Sequence, residues 1–153
     1  MTVEILLTRG LVTLVDDEDA EWLGQWKWHA SSRVDGRAYA VRQLSPKRGL
    51  LMHRAIMRPD AGIFIDHIDG NGLNNQRANL RYATNTENLR NRRMAKSNKC
   101  GYKGVSLHGN RFRAQISADG RWFFIGSFKT PEEAHAAYCG AARRLHGEFA
   151  RFE

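Results

Sequence analysis

The sequence predicts an α+β protein built from two small modules in tandem. Three observations carry this. Residues 63–93 read strand, loop, strand, helix. Residues 102–128 hold three short strand patterns, followed by one helical pattern from residue 131. Charge is unevenly divided: residues 1–91 hold 12 Lys+Arg against 11 Asp+Glu, and residues 92–153 hold 12 against 5. A chain of 153 residues suits one ordinary domain or two very small ones. The divisions expected are a first module over 1–91, a basic linker over 92–100 and a second module over 101–153.

Each element follows from its local chemistry. Residues 1–15 alternate loosely between apolar and polar, with a turn at Thr8-Arg9-Gly10, and predict a hairpin. Asp16-Asp17-Glu18-Asp19 offers an N-cap and an acidic first turn for a helix of about two turns. Residues 26–30 and 37–42 read as strands around an Asp35-Gly36 turn. Leu50, Leu51, Ile56 and Met57 mark a strand end running into a short helix that Pro59 stops. Strands at 63–65 and 79–83 flank the Gly- and Asn-rich loop 69–75. Thr84-Asn85-Thr86-Glu87 then has the form of a capping box and starts a helix carrying Asn88. Residues 90–99 contain five basic residues and no acid, as expected of a linker. Strands at 102–107, 111–117 and 121–128 turn at Gly109-Asn110 and Asp119-Gly120. The last helix begins with Thr130 as N-cap and Pro131 at N1, and ends at Gly147.

Composition narrows the function classes. Hydrophobic residues make up 42%, which argues for a folded core. No apolar run is long enough to span a bilayer, and the N-terminus lacks the pattern of a secretory signal. Cys100 and Cys139 have no CxxC spacing, so a cysteine-based zinc site is not expected. An intracellular, cytoplasmic protein with no membrane contact is the expectation. The net charge of +8, concentrated in the last third with aromatics interleaved, suits nucleic acid. A solvated basic surface is the alternative.

The chemistry-bearing constellation is Asp66-His67, Asn79 and Asn88. Asp66 is a hard anionic metal ligand beside an imidazole that titrates near neutral pH. Phosphodiester cleavage needs both functions: oxygen ligands for a divalent ion, and a neutral base to take a proton from water. Asn88 adds a neutral carbonyl oxygen, and two protein ligands leave room for waters and phosphate oxygens, as Mg²⁺ prefers. Neighbours on a regular strand point to opposite faces, so a shared site predicts irregular backbone at 66–70. Taken singly, the Asp-His pair suits a hydrogen-bonded turn, and asparagines suit loops. His53 is expected to be a structural histidine packed beside Trp or Leu, the alternative being contact with substrate or help in the chemistry, and Asp69 is either an acid behind the site or a turn residue.

The words Met52-His53-Arg54-Ala55-Ile56-Met57, Asp66-His67-Ile68-Asp69-Gly70-Asn71, Asn74-Asn75, Asn79-Leu80-Arg81 and Glu87-Asn88 resemble the HNH nucleases of phage and intron homing endonucleases. The match covers roughly residues 50–93, and residues 16–28 look like what precedes the motif in such proteins. The resemblance implies a ββα-metal fold in which Asp66 and Asn88 hold the metal and His67 is the general base. It also implies that Asn79 braces the loop that orients His67. Many relatives have His where Asp66 and Asn88 stand; the all-oxygen ligands here favour Mg²⁺ or Mn²⁺ over Zn²⁺.

Residues 101–153 resemble a second family, the AP2 DNA-binding domain, through Gly101-Tyr102-Lys103-Gly104-Val105, Arg113-Ala114-Gln115-Ile116, Ile125-Gly126-Ser127-Phe128 and Thr130-Pro131-Glu132-Glu133-Ala134. The resemblance implies a three-stranded sheet laid in the major groove and backed by one helix. Period-2 alternation puts Phe112, Ala114 and Ile116 on one face and Arg111, Arg113 and Gln115 on the other. The helix is expected to cover the apolar set, leaving Arg113, Gln115 and Trp122, with Lys103 and Arg121, toward DNA. The basic linker 90–99, with Arg92 and Arg93, is expected along the DNA backbone or in the minor groove between modules, the alternative being a flexible, solvated tether. Ser106 and the Gly109-Asn110 turn depart from plant relatives, so base specificity does not carry over.

The expected function is a two-module DNA endonuclease, monomeric or homodimeric, acting on double-stranded DNA with Mg²⁺ or Mn²⁺. One constellation per chain predicts a nick unless two chains act together. The rival is a non-catalytic, sequence-specific DNA-binding regulator, and RNA is a third possible substrate.

Overall fold

The computed structural model describes residues 1–32, 37–95 and 97–153, so the Asp35-Gly36 turn and Lys96 of the linker lie outside the described residues. The chain divides into two compact units, Met1–Asn85 and Thr86–Glu153.

In the first unit, β1 (Thr2–Leu6) and β2 (Val12–Asp16) form an antiparallel hairpin across the Thr8–Gly10 turn. α1 (Asp17–Gly24) follows directly, with Asp17, Glu18 and Asp19 in its first turn. Asp16 stands at the N-cap in extended backbone but makes no side-chain cap bond, contrary to expectation. Its carboxylate is spent elsewhere: it accepts from the Arg77 backbone N–H at 2.7 Å. Buried Asp19 takes the Arg77 guanidinium in a two-pronged bond, 2.8 Å on each arm. The acidic turn thus moors the far end of the 69–77 loop.

β3 (His29–Ser32), β4 (Ala38–Ser45) and β5 (Arg48–Leu51) form an antiparallel sheet with β4 in the middle. Residues 26–28 do not join the strand as expected. Trp28 is buried instead and donates its indole N–H to the Leu23 carbonyl at 2.9 Å. α2 (Met52–Met57) ends in a left-handed Arg58 whose N–H bonds Arg54 O, one residue before Pro59. β6 (Phe64–His67) and β7 (Leu80–Ala83) pair antiparallel as a ribbon. Leu7, Val15, Leu23, Trp28, Met52, Ile56, Ile65 and Leu80 form one core, joined by Ala30 of β3 and Ala40 of β4.

α3 (Asn85–Arg90) starts where the capping pattern places it, and its residues from Thr86 onward belong to the second unit. There β8 (Val105–His108), β9 (Arg111–Ala118) and β10 (Arg121–Phe128) form an antiparallel sheet in the order β10-β9-β8. α4 (Pro131–His146) lies on one face, and Thr130 Oγ1 accepts from the Glu133 N–H as the expected cap. Val105, Ala114, Ile116, Ala134, Tyr138, Ala141 and Ala142 form the core between sheet and helix. Gly104, at φ +74°, permits this approach: a Cβ there would stand 2.0 Å from the Tyr138 ring.

Candidate active site

The β6–β7 ribbon positions Asp66 and His67, the adjacent pair on which the sequence reading centres. Its ladder is regular through Asp66↔Arg81 and His67↔Leu80. The irregularity expected at 66–70 therefore begins only after His67, where Gly70 N–H closes a turn on the His67 carbonyl at 2.8 Å with φ +70°. Asp66 and His67 leave the strand on opposite faces of the ribbon, and both are buried. What they share is the end of the ladder.

The loop beyond is a closed hydrogen-bonded ring with Asp69 at its hub. One Asp69 carboxylate oxygen accepts from the Asn71 N–H at 2.7 Å and from the Asn79 amide at 3.0 Å. The other accepts from the Asn74 amide at 2.9 Å. Burial pushes the Asp69 carboxyl up, but the bonds from Asn71, Asn74 and Asn79 outweigh it and hold the pKa below the usual range. Asn79 returns a bond from its Oδ1 to the Asp69 N–H at 3.0 Å and donates to the Asn74 carbonyl at 2.8 Å. Its own carbonyl takes the Ile68 N–H at 2.9 Å. Asn79 thus fastens the loop at both ends, and Asp69 serves the turn.

His67 sits among rings. Its plane meets His53 edge-on at 4.9 Å, and Tyr39 stands 5.9 Å from each. Gly72 lets the loop close over Tyr39, since a Cβ there would come within 2.6 Å of that ring. Burial drives the His53 pKa down to about 3, with His67 and Arg54 adding to the effect. Burial also lowers the pKa of His67, against the opposing pull of the Asn75 bond, Asp69 and Asp66. Burial thus favours the neutral form of both imidazoles, and a neutral imidazole is the form that accepts a proton. The His67 Nε2 lies 3.3 Å from Asn75 Oδ1, an asparagine with no exposed surface.

Asp66 faces Arg81, which lays two N–H groups on one carboxylate oxygen at 2.9 and 2.7 Å. Asn88 stands half-buried on α3. Among the described residues no cluster of three or more His, Cys, Asp or Glu is present. On the first unit Asp66 offers a carboxylate oxygen, a donor type that suits a hard, largely hydrated divalent ion.

On the second unit, cross-strand register sorts the sheet faces. Ala114, Ile116 and Ala118 are buried beneath α4, and Arg113 and Gln115 are exposed on the open side. Gln115 pairs with Phe124 and Ser117 with Trp122, so these aromatics share the open face, 65% and 72% exposed. Arg111 also lies there, bonded to the Ser127 hydroxyl at 3.2 Å and carbonyl at 2.8 Å. Two expected residues do not join this face. Arg121 pairs with Ala118 and so projects on the α4 side. The Lys103 ammonium donates to the Arg90 and Arg92 carbonyls at 3.2 and 2.6 Å, and burial lowers its pKa to about 8. Lys103 pins the start of the linker, which is therefore no free tether there: Met94 N–H also bonds the Glu153 carbonyl. Arg92 and Arg93 are exposed on this strap.

The site residues that sequence reasoning missed are Arg81, Tyr39, Asn75 and Thr13, and for His53 it favoured a structural place over a part in the chemistry. The one available signal was the Asn74-Asn75 pair, which does not say which asparagine faces inward.

A neutral, buried imidazole at the head of a hairpin, with a carboxylate one residue before it on a basic chain, defines the class: a nuclease. Comparison with known proteins gives the family. The HNH endonuclease family model matches residues 58–90. Protein 3.8 of Escherichia phage T7 is 37% identical over 119 residues, 76% of this chain and 98% of that protein. An uncharacterized HNH endonuclease of Acanthamoeba polyphaga mimivirus is 31% identical over 147 residues, 95% of this chain and 77% of that protein. No solved structure matches. The chain belongs to the HNH endonuclease family.

Proposed function

We propose that this protein is a divalent-metal-dependent endonuclease of homing type, encoded by a phage or mobile element, that hydrolyses phosphodiester bonds in double-stranded DNA. The observation that carries the reading is His67, buried and fixed at the end of β6 next to Asp66, with burial lowering its pKa. His67 takes a proton from water, and the resulting hydroxide attacks phosphorus as the P–O bond to the leaving oxygen breaks. Asp66 and the Asn88 amide oxygen would hold Mg²⁺ or Mn²⁺, which when bound supplies positive charge against the phosphate and the leaving oxygen. Asn79 keeps the 68–79 loop, and with it His67, in place.

The second unit is read as an AP2-type DNA-binding domain. Arg113, Gln115 and Trp122 on its open sheet face, with Arg111, contact the duplex, and exposed Arg92 and Arg93 follow the phosphates. The protein acts inside the host cell as a monomer that nicks or a dimer that cuts both strands. Among the described residues no helix is long and apolar enough to cross a membrane.

Supercoiled plasmid incubated with the purified protein and Mg²⁺ tests the reading. Nicked or linear product is expected, and His67→Ala is expected to abolish cutting while a gel shift persists. Intact plasmid across a range of metals and salts would overturn the enzyme and leave a DNA-binding protein.

A further inference from the structure

We propose that Thr13 and Asn75 form a hydrogen-bonded relay that sets the tautomer of His67, keeping the proton on Nε2 and the base's lone pair on Nδ1. This rests on the reading of His67 as the general base. Both relay residues have no exposed surface, and they lie far apart in sequence, Thr13 on β2 and Asn75 at the end of the loop.

Thr13 Oγ1 lies 2.8 Å from the Leu73 carbonyl oxygen, which only accepts, so the hydroxyl hydrogen lies between them. Among the described residues the other acceptor near that hydroxyl is the Met52 sulfur at 3.8 Å, a weak one. With its hydrogen committed, the Thr13 oxygen is an acceptor toward Asn75, 2.7 Å away, and the atom facing it must be the Asn75 NH₂. That fixes which way the amide is turned. Asn75 Oδ1 then faces the His67 Nε2 at 3.3 Å, and an amide oxygen only accepts, so Nε2 is the protonated nitrogen. A neutral imidazole has one N–H, and its lone pair is therefore on Nδ1.

The backbone holds the relay in register. Leu14 N–H bonds the Leu73 carbonyl at 2.8 Å, and Asn75 N–H bonds the Leu14 carbonyl at 2.7 Å, forming a short parallel bridge between hairpin and loop. Every polar atom of the Asn75 side chain is thereby engaged, as burial of an amide requires. Thr13 and Asn75 are positioning residues that act through His67.

The test is long-range ¹H–¹⁵N correlation on the full-length protein labelled at histidine nitrogens, at a pH where His67 is neutral. A pyrrole-type shift at Nε2 and a pyridine-type shift at Nδ1 are expected; the reverse assignment in the wild type overturns the relay without any variant. Thr13→Val is expected to blur that signature and lower the plasmid cleavage rate about 10–100-fold with DNA affinity unchanged. Thr13→Ser, which keeps the hydroxyl, is expected to restore both. Thr13→Val with wild-type tautomer and rate overturns the relay. Uncut plasmid together with an Nε2–H tautomer overturns the reading of His67 as base and leaves the relay standing.

Discussion

Asp66 and Arg81 are register partners across β6 and β7, and their ion pair closes at 2.7 Å with both side chains almost wholly buried. Cross-strand pairing alone brings them together, since side chains directly opposite in an antiparallel ladder project on the same face. A buried carboxylate without its counter-ion is costly, so Arg81→Met is expected to destabilise the first unit by about 3–5 kcal/mol. The double variant Asp66→Asn with Arg81→Met should recover much of that loss. Urea denaturation of the three proteins measures both, and a single variant as stable as wild type would show the pair to be dispensable.

His53 gives the protein an acid limit. Its folded pKa of about 3 lies below the unfolded value of 6.5, so below pH 6.5 the unfolded chain binds more protons. Stability is therefore full above pH 6.5 and falls as pH drops toward 3. The slope is about 1.4 kcal/mol per pH unit well inside that window. His67, also lowered by burial, contributes with the same sign. Denaturant midpoints at pH 7 and pH 4.5 are expected to differ, and His53→Gln should flatten the dependence. An equal slope in the variant would assign it to other groups.

Loop order depends on Asn79, whose side chain makes three of the bonds closing the 69–79 ring. Asn79→Ala is expected to cut kcat about 10–100-fold while leaving DNA affinity in place. Single-turnover cleavage alongside a gel shift separates the two. Parallel loss of binding would mean that the loop grips DNA itself.

The second unit makes a contrast between two cations. Arg113 is exposed on the open sheet face, and the Lys103 ammonium is spent on two backbone carbonyls. Arg113→Ala is expected to weaken DNA binding and reduce the slope of log K against log salt by about 1. Lys103→Met should leave that slope unchanged and lower the melting temperature. Salt titrations of affinity distinguish them, and the opposite pattern would exchange their roles.

Gly104→Ala forces a methyl to within 2.0 Å of the Tyr138 ring at a backbone φ of +74°. Steric overlap and strain act together, so a clear fall in melting temperature is expected. An unchanged melting curve would mean that α4 shifts away without cost.

Much of this was legible in the chain because its signals are local. The Thr130–Pro131 cap and the Gly147 stop fix α4 to the residue, and alternation along β9 puts Ala114 and Ile116 inside and Arg113 and Gln115 outside. What was hidden depends on contacts distant in sequence. Nothing near Asn75 announces Thr13, 62 residues away, and nothing near His53 announces the edge of the His67 ring. Asp16 read as a cap because an Asp heads the acidic run that opens the helix; its backbone is that of a cap, but the Arg77 N–H claims its carboxylate. Arg121 was set beside Trp122 on the open face, although alternation along β10 already puts these neighbours on opposite faces, as the pairing of Arg121 with Ala118 bears out.

The bridge between Leu14 and Asn74 bears on engineering. The matched stretch 58–90 contains Asp66, His67, Asn79 and Asn88 and looks like a portable cassette. It leaves out Thr13, Tyr39 and His53, which lie on the hairpin, the central sheet strand and α2. A graft of that stretch onto a foreign scaffold would carry the motif's letters and leave its histidine without the walls that hold it. The transplantable piece begins at the first strand of the hairpin.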